Sequence, residues 1–257
     1  MKLLALETAT DLVGAAVERD GSVAERSHLG GRAHAELLAP AIEEVCALSG
    51  CALGDLDALA VDTGPGLFTG LRVGVATAKA LGQALSLGVL GVSSLDILAA
   101  AAFEAAPGAR SARVVAVVDA RRGEVFAAAY GAGTAGGGPD PADVRTDREG
   151  ALTPEDLVSW CDALAVAGPV LVVGDGAVRY LELLAPRPGL DVGLVQTVAA
   201  PSPAALARLA VRRLGAGAVP LAAADVVPDY RRPADARINW EERAPQRTAP
   251  GPPGGRR

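Results

Sequence analysis

Residues 3–17 read L-L-A-L-E-T-A-T-D-L-V-G-A-A-V, and residues 114–130 read V-V-A-V-V-D-A-R-R-G-E-V-F-A-A-A-Y. In each stretch an apolar run meets a polar turn carrying an acid and returns as a second apolar run, the pattern of two paired strands. The copies lie a little over 110 residues apart. Self-similarity at that distance indicates a duplicated domain and not a solenoid, whose repeats are far shorter.

Around the first copy, Asp20-Gly21 supplies another turn and Val23 begins a third extended stretch. From Ala33 the period changes: Leu37, Leu38, Ile42, Val45 and Leu48 recur at three- and four-residue steps up to Gly50, which predicts a helix. Pro40 falls inside it and should kink it unless the helix starts nearby. Leu56 to Val61 reads as a buried strand, T-G-P-G as a break, and about Leu67 to Leu85 as a second helix. Val89 to Val92 is a strand, and Ser93-Ser94 can cap a helix through about Ala106. Pro107-Gly108 marks a domain boundary, and Gly131 to Pro141 is a Gly/Pro-rich loop. Thr153-Pro154-Glu155-Asp156 has the chemistry of a helix start. Val170 to Val173 is a strand running into G-D-G, and Ser202-Pro203 opens a helix that Gly215 closes. The division that follows is a first lobe over 1–106 and a smaller second lobe over 107–232. The last helix of the second lobe, about 203–214, can pack back on the first. The tail, 233–257, is rich in Arg, Pro and Gly and reads as disordered beyond 241.

Half the 257 residues are hydrophobic and 3% are aromatic, so Ala, Val and Leu must fill the core. The net charge of −6 lowers the expectation of a stand-alone nucleic-acid binder. The opening apolar run meets Glu7 too early for a signal core, and no long apolar stretch predicts a membrane span. Cys46, Cys51 and Cys161 have no metal-site spacing and read as small buried hydrophobes. The expected location is the cytoplasm.

Two copies of strand, hairpin and helix with G-P-G and G-D-G turns suggest an α/β fold of the duplicated, two-lobe actin-like kind shared by sugar kinases and Hsp70. Each lobe would be a mixed sheet with flanking helices. Five strings sharpen this: M-K-L-L-A-L-E-T-A-T (1–10), G-P-G-L-F-T-G-L-R-V-G (64–74), G-V-S-S-L-D (91–96), V-V-D-A-R-R-G-E-V-F (117–126) and P-D-Y-R-R (228–232). In this order and at similar spacing they resemble the TsaB (YeaZ) family. The resemblance runs from Met1 to about Arg232. It implies a non-catalytic subunit of the tRNA threonylcarbamoyladenosine machinery that dimerises with TsaD, joins TsaE in the larger complex, pairs with itself when TsaD is absent, and meets tRNA only through the complex. It implies no required cofactor, although ATP or ADP could bind.

The residues can be asked separately whether the chain is an enzyme. The catalytic relative carries His-x-x-x-His after the Gly-Pro-Gly helix, two imidazoles one turn apart that hold a metal. The matching stretch here, Val92 to Leu98, has no histidine, and the chain's two histidines, His28 and His34, are six apart and far upstream. A metallopeptidase-like activity is therefore not expected. His34 reads as a surface or capping residue. An ATP-dependent phosphotransferase of the acetate- or sugar-kinase type is the alternative. Its candidate nucleotide contacts are Glu7, Thr8, Thr10, Asp119, Arg121 and Gly174-Asp175-Gly176, because glycine turns let backbone N–H groups approach phosphate. No P-loop or G-x-G-x-x-G pattern is present, and no G-x-S-x-G elbow supports a serine hydrolase.

The second helix carries Gly70, Gly74, Ala78 and Gly82 every four residues. Glycine inside a helix costs about 1 kcal/mol relative to Ala, so the stripe asks for a close approach by something else. That neighbour is either the protein's own sheet or a helix of another subunit, with Leu71, Val75 and Lys79 flanking the stripe. Leu37, Leu38, Ala41, Ile42 and Val45 of the first helix cover more than one face. The family resemblance favours the second account and makes these two helices the pairing surface.

Overall fold

The computed structural model describes residues 1–31, 33–106, 112–131, 145–147 and 150–231. The Pro107-Gly108 boundary, most of the Gly131–Pro141 loop and the tail from 233 lie outside the described residues.

Among the described residues ten strands and seven α-helices follow in chain order: β1 (Lys2–Glu7), β2 (Leu12–Arg19), β3 (Ser22–Leu29), α1 (His34–Ser49), β4 (Ala58–Gly64), α2 (Phe68–Leu85), β5 (Val89–Ser93), α3 (Ser94–Ala105), β6 (Arg113–Arg121), β7 (Glu124–Tyr130), β8 (Arg145–Asp147), α4 (Pro154–Ala165), β9 (Val170–Val173), α5 (Asp175–Arg179), α6 (Leu181–Leu184), β10 (Leu190–Asp191) and α7 (Pro203–Gly215). They form two five-stranded mixed sheets, ordered β3-β2-β1-β4-β5 and β10-β9-β6-β7-β8. Each sheet is built on an antiparallel hairpin, β1–β2 or β6–β7, whose first strand also pairs in parallel with the strand after the next helical segment. The repeated hairpin of the sequence is thus the repeated centre of two sheets, and the fold is the two-lobe actin-like one.

Strand alternation divides each sheet into two apolar faces. On one face of the first sheet Leu4, Leu6, Val13, Val17, Leu59 and Val61 meet Leu38, Ala41, Ile42 and Val45 of α1 and Val75 and Ala78 of α2. On the other, Leu3, Ala5, Ala16, Ala60 and Val92 meet Ile97 and Ala100 of α3 and a run of α7 from Ala205 to Ala210. Helix α7 therefore returns from the second lobe to cover the first. Its start is capped by the Ser202 hydroxyl accepting from the Ala205 amide, and Thr153 caps α4 in the same way from Asp156.

Pro40 sits inside α1, which nonetheless runs from His34 to Ser49. Pro40 is exposed, so the helix carbonyl it leaves without an amide partner lies on the solvent side. Ser93 stands at the N-cap of α3 without a side-chain cap, its buried hydroxyl making no hydrogen bond, while the Ser94 hydroxyl donates to Asp62 across the sheet, at 2.7 Å.

Helix α3 is apolar nearly all round, as expected of a helix buried on every side. While Ile97 and Ala100 face the first sheet, Leu95, Leu98, Ala99 and Ala102 pack on Val114, Ala116, Val118, Phe126 and Tyr130 of the second. Its one buried acid, Asp96, accepts from the Tyr130 hydroxyl (2.9 Å), Arg145 (2.7 Å) and Arg213 (2.8 Å). These donors come from β7, β8 and α7, so a single carboxylate gathers both lobes around α3.

Replacing Asp96→Ala removes the shared acceptor of two largely buried guanidinium groups and should destabilise the protein by about 3 kcal/mol. Urea denaturation of the purified variant would measure this, and an unchanged midpoint would show that the cluster is not what ties the lobes.

Candidate functional site

The two hairpin turns face each other at the ends of the strands, the region where α/β folds usually hold ligands. In the first turn Glu7 Oε1 accepts from the Ala9 amide at 2.8 Å, and Thr10 Oγ1 accepts from the Leu12 amide at 3.3 Å. The Thr8 hydroxyl donates to the Gly70 carbonyl at 2.8 Å, and the Leu67 amide donates to the Ala9 carbonyl at 2.7 Å. Glu7 and Thr8 have no exposed surface. His34 is also buried, not a surface residue. Its Nε2 lies 2.8 Å from the Thr10 carbonyl and ties the start of α1 to the same turn.

In the second turn Asp119 accepts from the Arg121 amide (2.8 Å), the Arg121 guanidinium (3.2 Å) and Arg179 (3.0 Å). The Asp119 amide donates to Asp175 Oδ1 at 2.9 Å. Burial, with the charge of Asp119 nearby, pushes the Asp175 carboxyl up to about 6. Arg121 then crosses to the first lobe and grips both oxygens of Asp11 at 2.8 Å. Arg121 and Asp11 are about half exposed, so this bridge fixes orientation more than it adds stability.

The proposed nucleotide contacts are therefore brought to one place but turned inward. Glu7, Thr8 and Thr10 bond within their own turn and to α2, and Asp119 is occupied by two arginines. Gly174 is buried, and a side chain there would run into the Val117 carbonyl. The glycine serves contact between a turn and its own sheet. What stays open is a recess of about 600 Å³ lined by Asp11, His34, Phe68, Thr69 and Arg121 among others.

The small-residue stripe on α2 also faces inward. A Cβ at Gly70 would overlap the Thr8 carbonyl oxygen, and one at Gly74 would overlap the Thr8 hydroxyl. At Gly82 it would stand 2.9 Å from Cβ of Ala223 and 3.0 Å from the Leu87 carbonyl. Gly70, Leu71, Gly74, Val75, Ala78 and Gly82 are all buried in the chain itself, as are Leu38, Ala41, Ile42 and Val45 of α1. The sequence left open whether the stripe meets the protein's own sheet or another subunit, and these side chains do meet their own sheet. They hold α1 and α2 on their own sheet, and only Leu37 and Lys79 of the expected set are half-buried at the margin. Lys79 Nζ donates to the Val226 carbonyl at 3.1 Å.

That carbonyl belongs to a strap, residues 218–231, running back along α2. Leu221 exchanges two backbone hydrogen bonds with Val89 on the edge of β5, Val226 is buried, and the Asp229 amide donates to the Thr63 carbonyl. Residues 228–231 of the P-D-Y-R-R string thus lie at the beginning of α2, where Tyr230 lies 5.0 Å from the Phe68 ring and Arg72 stacks over that ring at 3.9 Å. The exposed surface of this layer includes Thr69, Arg72, Ala76, Ala80 and Gln83 of α2, Ala39, Glu43, Glu44 and Leu48 of α1, and Val227 and Tyr230 of the strap. Sequence reading missed Asp11, Asp62, Asp96 and the strap. An acid inside the apolar run A-L-A-V-D was the available signal for Asp62.

Among the described residues no cluster of three or more His, Cys, Asp or Glu could hold a metal ion. The family model described as TsaD: tRNA N6-adenosine threonylcarbamoyltransferase matches residues 25–137. The Escherichia coli protein named tRNA threonylcarbamoyladenosine biosynthesis protein TsaB is 39% identical over 130 residues, 51% of this chain and 55% of that one, so the chain spans about half the length of that relative. An uncharacterized protein of Mycobacterium tuberculosis (strain H37Rv) is 38% identical over 215 residues, 82% of this chain and 92% of its own length. The crystallised YeaZ of Pseudomonas aeruginosa is 30% identical, with a TM-score of 0.71, and the match covers 89% of this chain and 99% of that one. The chain belongs to the TsaB (YeaZ) family.

The inward glycines give a test that separates helix propensity from packing. Gly70→Ala should favour the helix by about 1 kcal/mol if the site were open. Overpacking against Thr8 should outweigh this and destabilise the protein by a net 1–2 kcal/mol or so. Thermal unfolding of Gly70→Ala beside an exposed control, Gln83→Ala, would decide: a Tm at or above that of the parent would contradict the close contact.

Proposed function

We propose that this TsaB-family chain is the non-catalytic partner of TsaD in tRNA threonylcarbamoyladenosine biosynthesis, pairing through the exposed side of its α1–α2 layer. The observation that carries the reading is the self-engagement of both hairpin turns. The groups that would grip a phosphate in an active member of this fold bond to α2, to α1 and to each other. What the molecule leaves to the outside is a helical layer edged by aromatic and apolar side chains. The name of the E. coli relative supports the pathway. The TsaD family model over residues 25–137 supports kinship with the partner, because it spans the layer in question.

Kinship has a geometric consequence. If the partner carries the same α1–α2 layer, the heterodimer is a pseudo-symmetric copy of a homodimer, and the two compete for one surface. Self-pairing in the absence of TsaD follows from the same geometry. Recruitment of TsaE and contact with tRNA belong to the complex in this reading, and no nucleotide is required by the isolated chain.

Two measurements test it. Ala76→Arg places a charge on the exposed side of α2 without entering the core. It should weaken co-elution with TsaD about tenfold or more, as expected for the centre of an interface, while the Tm of the isolated chain stays unchanged. Val75→Arg, by contrast, should unfold the lobe, because Val75 is 4% exposed. Co-elution of the Ala76→Arg variant at parental strength would refute the surface. ATP turnover by the isolated protein would favour a phosphotransferase instead.

A further inference from the structure

Glu7 and Asp62 have no exposed surface and stand on neighbouring parallel strands. The register pairs Leu6 with Val61, so the next step sets Glu7 beside Asp62, with both side chains on the face covered by α3 and α7. One oxygen of each carboxyl is satisfied. Glu7 Oε1 takes the Ala9 amide at 2.8 Å, and Asp62 Oδ1 takes the Gly64 amide and the Ser94 hydroxyl, both at 2.7 Å. The other two oxygens, Glu7 Oε2 and Asp62 Oδ2, are buried and accept nothing from the protein.

Two carboxylates cannot both be charged at such a place without compensation. The groups facing them supply none. On α3 there are the Ser94 hydroxyl and Asp96, a further acid. The arginines that reach this region, Arg145 from β8 and Arg213 from α7, bind Asp96. On β5 the Ser93 hydroxyl is neutral, and on α1 the imidazole of His34 is directed to the Thr10 carbonyl. No Lys or Arg among the described residues forms an ion pair with either acid. A single proton resolves both orphaned atoms at once: held on Glu7 Oε2, it is donated to Asp62 Oδ2 and leaves one negative charge, which the Gly64 amide and Ser94 hydroxyl already solvate.

We propose that Glu7 and Asp62 share one proton in the native protein at neutral pH, and that losing it loosens the seat of α3 between the two lobes. Burial, followed by the neighbouring Asp62, holds the Glu7 carboxyl well above the usual carboxylate range. Asp62 is raised too, chiefly by burial. A folded-state value above that of the unfolded chain means the native protein binds the extra proton. The associated stability is complete below the unfolded value of about 4.3 and declines as pH rises toward the folded one. The consequence reaches α3 through Ser94, its first residue, two positions before the Asp96 cluster.

Glu7→Gln tests the shared proton directly, because its amide can donate to Asp62 at every pH while its oxygen keeps the Ala9 bond. Denaturant unfolding should show the folded-to-unfolded ratio of the parent falling relative to E7Q by about tenfold per pH unit above about pH 5, until the folded value is passed. Hydrogen exchange of α3 amides, corrected for intrinsic rates, should lose protection over the same range in the parent and not in E7Q. Parallel stability curves would overturn the proposal. Should E7Q fail to fold, the parent still decides the matter by infrared spectroscopy in D2O. A protonated-carboxyl band at neutral pH that vanishes on alkaline titration supports the shared proton, and its absence at neutral pH overturns it.

Discussion

The absence of side chains between α2 and the first hairpin turn sets the position of nearly everything else. With no Cβ at Gly70 and Gly74, the start of α2 settles against the backbone and hydroxyl of Thr8. The Thr8 hydroxyl then reaches the Gly70 carbonyl, and the Leu67 amide reaches Ala9. A larger residue at either position would push the helix off the turn. The same contact brings His34 and α1 against the turn from the side. The joint between the turn and α2 is packed, a recess of about 600 Å³ lies beside it, and the outer side of α1 and α2 stays exposed.

Much of the fold was legible because its signals are local. The repeated strand–turn–strand pattern marked the centres of both sheets, and the period of Leu38, Ile42 and Val45 marked α1. Thr153 and Ser202 announced α4 and α7 through capping chemistry that the structure contains. The direction of the glycine stripe was not legible. A stripe reports that something comes close, but whether that neighbour is the same chain or another depends on contacts some sixty residues distant in sequence, such as Thr8 to Gly70. The serines at the start of α3 misled for a related reason. Capping is the default use of a hydroxyl at a helix start, yet Asp62, brought up by the parallel sheet, offers Ser94 a charged acceptor, and charge-assisted bonds are stronger than neutral ones.

Helix α3 shows how the duplication is held together. Two sheets with apolar faces need a shared filling, and a helix apolar on all sides supplies it. Such a helix slides easily, since dispersion and burial have little directional preference. Asp96 and its three donors add the direction that packing lacks, joining β7, β8 and α7 to one point. Helix α7 covers the first lobe although it follows the second in the chain, and the strap after it pairs with the edge of β5. Neither lobe is therefore complete without the other's sequence.

Against this background the buried acids are more than an electrostatic burden. Replacing a buried ionic cluster by apolar residues is often neutral or stabilising, so a sheet that carries Glu7 and Asp62 under α3 sacrifices stability at neutral pH that Leu or Gln would restore. What the acids provide is position. Glu7 holds the Ala9 amide and so fixes the turn on which α2 rests, and Asp62 holds Gly64 and Ser94, fixing the loop before α2 and the first residue of α3. Two side chains thereby set the spacing among the hairpin turn, α2 and the helix between the lobes. An apolar pair of equal volume could fill the space but could not specify those three backbone positions together.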